Sequence, residues 1–130
     1  MPEISVIMLT YNRENLVSRA IESILNQSFK DFEYIIVDNG SDDNSGKIAD
    51  EYALKDNRIR VVHKDKGNIG SGRNAGLDLA RGKYVTFIDD DDIAYEDMLE
   101  FLYELIKTNC ADISICGSHN RLFDAESIMT

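Results

Sequence analysis

The apolar positions of the chain change period several times. Ile4-Ser5-Val6-Ile7-Met8-Leu9 is a short, nearly unbroken apolar run, the pattern of a strand covered on both faces. Asn12 then stands where a helix N-cap belongs. After it, Leu16, Val17, Ala20, Ile21, Ile24 and Leu25 recur at helical spacing through about Asn26. Phe32 to Val37 reads as a second strand, closed by the turn residues Asp38-Asn39-Gly40-Ser41. A helix follows from about Asn44 to Lys55, with Ile48, Ala49 and Tyr52 inward. Ile59 to His63 reads as a third strand, and the loop from Lys64 to Gly70 leads to a short helix around Gly72 to Ala80. Arg81-Gly82 stops that helix. Lys83 to Ile88 is a fourth strand, read as buried, and it runs directly into Asp89-Asp90-Asp91-Asp92. A long helix is expected from about Tyr95 to Thr108. Ile113 to Cys116 offers a fifth strand, and Ser118 to Thr130 shows no clear period. Strand and helix alternate throughout, which predicts an α/β fold with a mainly parallel sheet and helices on both faces. Ligands of such sheets bind at the carboxyl ends of the strands.

Composition narrows the function without changing that picture. The 130 residues suit one domain, and 14 Lys and Arg against 24 Asp and Glu leave a net charge of −10. A chain so acidic is not a nucleic-acid binder, whose affinity rests on clustered cations. No apolar run approaches the roughly 20 residues of a membrane-spanning helix. The start, Met1-Pro2-Glu3, lacks the basic character of a signal peptide. Cys110 and Cys116 have no second pair, so neither a zinc site nor a disulfide framework is expected, and both read as packing residues with reduced thiols. His63 and His119 show no spacing that implies a metal or a catalytic triad.

The strand ends carry the candidate chemistry. The first ends in Thr10-Tyr11-Asn12, the second in Asp38-Asn39-Gly40-Ser41-Asp42-Asp43, and the fourth in the four aspartates. Adjacent carboxylates raise one another's pKa, and a hard divalent ion such as Mg²⁺ or Mn²⁺ removes that penalty. Carboxylates also favour the positive end of the helix that follows, but an N-cap needs one of them rather than four. Asp38 and Asn39 are ordinary turn residues; their side-chain oxygens would equally accept the ring N–H of a pyrimidine. Tyr11 reads either as a half-buried loop aromatic or as a platform for a base. Gly67-Asn68-Ile69-Gly70-Ser71-Gly72-Arg73-Asn74 is a glycine-rich approach to a helix start, a phosphate neighbourhood that matches no Walker or dinucleotide fingerprint.

Taken in order, these segments resemble the family 2 glycosyltransferases of the GT-A fold. The resemblance runs from Ser5-Val6-Ile7-Met8-Leu9-Thr10-Tyr11-Asn12 through Ala20 to Phe29 and Ile36-Val37-Asp38-Asn39-Gly40-Ser41. It continues in Arg73-Asn74-Ala75-Gly76-Leu77, Gly82-Lys83-Tyr84 and Phe87-Ile88-Asp89-Asp90-Asp91-Asp92, and covers the chain to about Leu102. It implies a Rossmann-like nucleotide-diphospho-sugar transferase fold and inverting transfer of a sugar from a donor, most often UDP-linked, with Mn²⁺ or Mg²⁺ on the diphosphate. The acceptor would be a hydroxyl of a glycan, lipid or protein, as in cell-envelope polysaccharide synthesis. The setting would be cytoplasmic, free or at the inner face of the membrane. Carried over by position, Thr10, Tyr11 and Asn12 lie on the donor, Asp38 or Asn39 pairs with the base, and Arg73 lies near base or phosphates. Asp90 touches the ribose beside Asp89, and Asp91 and Asp92 hold the metal in the family's DXD motif.

The chain departs from the family pattern twice. Leu9 replaces a frequent Pro, and Asn39 replaces a frequent second Asp; its amide oxygen still accepts an N–H but carries no charge. The general base that an inverting transfer needs lies beyond the DXD motif in this family, and no candidate for it is identifiable here. The expectation is therefore a donor-binding part over residues 1–117 and a tail, 118–130, leading toward an acceptor-binding part. A phospho-receiver domain would need acidic residues after the first strand, and a nucleotidyltransferase a glycine-rich basic loop there. Neither is present. A non-catalytic nucleotide-sugar-binding or interaction module is the remaining alternative.

Overall fold

A computed structural model describes residues 1–109, together with the strand pairs 118–119 and 128–129. The elements are β1 (Ile4–Thr10), α1 (Val17–Leu25), β2 (Phe32–Asp38), α2 (Ser45–Lys55), β3 (Ile59–His63), α3 (Ile69–Leu79), β4 (Tyr84–Asp89), α4 (Met98–Asn109), β5 (Ser118–His119) and β6 (Ile128–Met129). Four strands form one parallel sheet in the order β3-β2-β1-β4, and β5 and β6 pair antiparallel. The expected α/β architecture is the one found. The stretch Ile113 to Cys116, read as a strand, lies outside the described residues, as do both cysteines.

Alternation along the strands sorts the core into two layers. On one face Ile4, Val6, Met8, Tyr34 and Ile36 pack against Val17, Ala20, Ile21 and Ile24 of α1, Ala49 of α2 and Leu99 of α4. On the other, Ile7, Ile35 and Val37 pack against Ala75 and Leu79 of α3. The approach of α3 is close: a Cβ on Gly72 would lie 2.5 Å from Leu9 Cδ2, and one on Gly76 2.6 Å from Ile7 Cγ2. Glycine at these two positions, one turn apart, lets the helix backbone rest on β1.

Three readings are corrected. Asn12 does not cap α1: the helix begins at Val17 after Leu16, without a side-chain cap. Asn12 instead adopts φ 51°, a region its short polar side chain tolerates. Among the described strands β4 lies at one end of the sheet, and half-buried and exposed residues alternate along it, with Val85 and Phe87 each 41% exposed. The last helix starts at Met98 rather than Tyr95, because residues 94–99 are held from the side by α1 and by Gln27 just after it. Ser23 Oγ accepts from the Ala94 N–H, the buried Gln27 amide donates to the Tyr95 carbonyl, and Gln27 Oε1 accepts from the Leu99 N–H. Among the described residues no helix is long and apolar enough to cross a membrane.

Candidate nucleotide and metal site

Parallel pairing places three strand ends side by side. Thr10 lies opposite Asp38, Leu9 opposite Asp89, and Asp38 opposite His63. A cavity of about 230 Å³ opens beside them, between the ends of β1 and β4 and the first turns of α3. Thr10, Tyr11, Asn39, Arg73, Asp89 and Asp90 line it, as do Arg13, Ile69 and Phe87. The Arg73 guanidinium stacks over the Phe87 ring at 5.0 Å, and the Lys66 ammonium sits 4.9 Å from the Tyr11 ring centroid.

The structure separates Asp38 from Asn39. Asp38 continues the alternation of Tyr34 and Ile36, so its carboxylate turns to the α2 side. There Oδ1 accepts from the Ser41 N–H at 3.0 Å and Oδ2 lies 3.0 Å from His63 Nδ1. Asn39 turns the other way and lines the cavity; its amide donates to the Gly67 carbonyl and accepts from Lys64 Nζ, both at 2.9 Å. Asn12 is outside the cavity lining: it donates its N–H to Ser41 Oγ and accepts from the Asp42 N–H, tying the end of β1 to the turn after β2.

The aspartate run is likewise divided. Asp90 points inward, 3.2 Å from the Tyr11 N–H and 3.4 Å from Arg13 Nε. Burial raises its pKa, with the Asp91 charge adding to the effect, against the Thr10 hydroxyl, the Tyr11 N–H and Arg13. Asp89, Asp91 and Asp92 are exposed and bring carboxylate oxygens within 4.8 Å of one another. Asp92 also has a raised pKa, from burial and then from Asp91 and Asp89. An all-oxygen set of clustered carboxylates fits a hard divalent cation, with water completing the shell.

Three site neighbours carry no motif signal in the sequence, Arg13, Lys64 and Lys66, and a fourth, His63, reads only as a histidine without metal or triad spacing. The rule that picks Thr10, Asp38 and Asp89 by strand end applies equally to β3, whose end is His63-Lys64.

Comparison with known proteins gives the family of the chain. The chain is 41% identical over 118 residues to the glycosyltransferase GlyG of Streptococcus pneumoniae, covering 90% of this chain and 39% of that protein. It is 40% identical over 124 residues to the uncharacterized glycosyltransferase EpsJ of Bacillus subtilis, covering 95% of this chain and 36% of that one. The chain thus spans about two fifths of the length of these relatives. The crystal structure of S. aureus TarS residues 1–349 superposes with a TM-score of 0.78 at 31% identity over 85% of this chain and 34% of that one. Related structures hold UDP and UDP-GlcNAc. The profile of Glycosyl transferase family 2 matches residues 5–126, beyond the Leu102 to which the motifs alone extend. With a parallel α/β sheet that matches the GT-A structure of TarS and a family match over nearly its whole length, the chain belongs to glycosyl transferase family 2.

Proposed function

We propose that this chain forms the donor-binding part of an inverting glycosyltransferase that takes a UDP-sugar and transfers the sugar to a hydroxyl acceptor. The observation that carries the reading is a cavity lined by Tyr11, Asn39, Arg73 and Asp89, the last of which also belongs to the Asp89, Asp91 and Asp92 carboxylate cluster. The UDP and UDP-GlcNAc complexes of TarS support the choice of donor. Tyr11 offers a ring face to the base, and Asn39 Oδ1, already accepting from Lys64, has a second lone pair for the ring N–H of uracil. Arg13 and Arg73 supply positive charge to a diphosphate. Asp89, Asp91 and Asp92 hold Mn²⁺ or Mg²⁺, which supplies Lewis acidity toward the departing diphosphate. Residues 1–117 act on the donor, and 118–130 lead toward the part that receives the acceptor.

Calorimetry tests this directly. UDP-GlcNAc is expected to bind in Mn²⁺ and to lose most of its affinity in chelator, and Asp91→Ala should remove the metal-dependent component while leaving the fold intact by circular dichroism. Equal affinity in Mn²⁺ and in chelator would sink the metal assignment, and no binding in either would sink the nucleotide site.

A further inference from the structure

His63 stands at the end of β3 with both ring nitrogens on carboxylates. Nδ1 is 3.0 Å from Asp38 Oδ2, and Nε2 is 2.9 and 3.0 Å from the two oxygens of Asp50. A neutral imidazole carries one N–H, so one nitrogen would turn a lone pair toward a carboxylate at contact distance. Only the imidazolium makes both contacts favourable.

We infer that His63 is a positioning residue for the donor site: protonated between Asp38 and Asp50, it ties α2 to the ends of β2 and β3 and fixes the turn that presents Asn39 to the cavity. This deepens the nucleotide reading above and rests on it.

The connection can be followed bond by bond. Asp38 is held at Oδ2 by His63, and at Oδ1 it accepts from the Ser41 N–H. Ser41 Oγ accepts from the Asn12 N–H, next to Tyr11. The Asp38 carbonyl accepts from the Lys64 N–H, and Lys64 Nζ reaches Asn39 Oδ1. The geometry is tight on the α2 side as well, where a Cβ on Gly46 would overlap the Asp38 carboxylate and come within 3.1 Å of His63 Cε1. Release of either carboxylate therefore loosens the residues on both sides of Asn39.

The titratable groups facing His63 are Asp38 from β2 and Asp50 from α2; its chain neighbour Lys64 directs its ammonium to Asn39 and the Asp65 carbonyl. The hydrogen bonds to Asp38 and then Asp50 raise the imidazole above its ordinary 6.5, against a smaller opposing effect of burial. A raised pKa means that the tie is complete below 6.5 and is lost as pH rises through the raised value. The side chain is 48% exposed, so it exchanges protons freely with solvent.

The test uses the full chain and UDP-GlcNAc, whose diphosphate is esterified at both ends and gains no proton across the range. Its affinity in Mn²⁺ is measured by calorimetry from about pH 6 to 8.5, and His63 is titrated by NMR on the metal-free chain. Affinity should fall about fivefold over the interval in which the ring deprotonates. His63→Gln should give a flat profile at the weaker, high-pH level. Asp50→Asn leaves the ring one carboxylate fewer and should move both the NMR midpoint and the affinity midpoint to lower pH. The inference is overturned by a shared pH profile in wild type and His63→Gln while the ring titrates. It is equally overturned if Asp50→Asn moves the NMR midpoint and not the affinity. Absence of binding at every pH overturns the nucleotide reading, and this inference with it, and is separable from both results.

Discussion

Glu33→Gln isolates the interaction that closes the pole of the sheet opposite the candidate site. Glu33 is 5% exposed and lies on the α3 face of β2. Its Oε2 accepts from Ser5 Oγ and from the Arg81 N–H, both at 2.6 Å, and Ser5 Oγ in turn accepts from the Gly82 N–H at 2.8 Å. Its Oε1 faces Arg60 at 3.5 Å and Arg81 at 3.6 Å. One carboxylate thereby joins β2, β1, β3 and the α3–β4 turn. Burial alone would raise its pKa, but the Ser5 hydroxyl, the Arg81 N–H and the two guanidinium groups outweigh it and lower the value.

Gln keeps the shape and one accepting oxygen. With that oxygen toward Ser5 and Arg81, the amide NH₂ faces two cations; with the amide reversed, two donors lose their acceptor. Either way charge-assisted hydrogen bonds are lost, each worth roughly 1.5–3 kcal/mol when buried. The guanidinium contribution is smaller, because the side chains of Arg60 and Arg81 are 36% and 61% exposed and solvent screens them. The expected destabilisation is about 2 kcal/mol, read as a urea midpoint lowered by roughly 1–2 M at neutral pH. A depressed carboxylate pKa gives stability that is present above the ordinary 4.5 and lost as pH falls through the folded value, so the gap between wild type and variant should close in acid. UDP-GlcNAc affinity should be unchanged at neutral pH. A midpoint within experimental error of wild type, or a gap that persists in acid, would refute the reasoning.

Gly76→Ala drives a methyl into Ile7 and should cost about 1–3 kcal/mol in thermal or urea unfolding, since the helix backbone cannot yield without lifting α3. Gln27→Ala takes the acceptor from the Leu99 N–H and one of the donors from the Tyr95 carbonyl, which keeps the Met98 N–H, and should cost about 1–3 kcal/mol while weakening Mn²⁺-dependent donor binding through the segment after Asp92. Asn39→Ala should weaken UDP-GlcNAc binding in calorimetry and cost about 1–2 kcal/mol in urea unfolding, because the buried amide lines the cavity and also holds the Gly67 carbonyl and Lys64. In a transfer assay with hydroxyl acceptors, this chain should stay near background, because no general base, worth ~10²–10⁴-fold, is identifiable among the described residues; robust acceptor glycosylation above a metal-free control would reveal one.

The sheet and its helices were legible because burial imposes period on sequence: β1 and β2 are covered on both faces and read as apolar runs. What local sequence does not carry is the position of a strand within the sheet, so β4 read as buried although its outer edge has no neighbour among the described strands. The start of α4 was misread because Tyr95 is tied by Gln27, 68 positions earlier, and no periodicity encodes such a bond. The difference between Asp38 and Asn39 was in principle readable. Tyr34, Ile36 and Asp38 share one face, so the following residue must turn to the other. His63 was opaque for another reason: Asp50 lies 13 positions away, and only the packing of α2 on β3 brings the two together.

An acidic chain proposed to bind an anion has to keep like charges apart, and the geometry shows how. The cavity is lined by Arg13 and Arg73, with Lys64 and Lys66 on the loop that follows β3, while of the exposed carboxylate cluster only Asp89 lines it. Asp90, the acid turned inward, is met by Arg13 and the Tyr11 N–H rather than left to face a phosphate. The amide at Asn39 fits the same arrangement. A carboxylate there would draw Lys64 into an ion pair, whereas an amide orients toward the ammonium without neutralising it. On the proposed function, Lys64 would keep its charge for an anionic ligand even as it fixes the oxygen offered to the base, through one hydrogen bond of 2.9 Å.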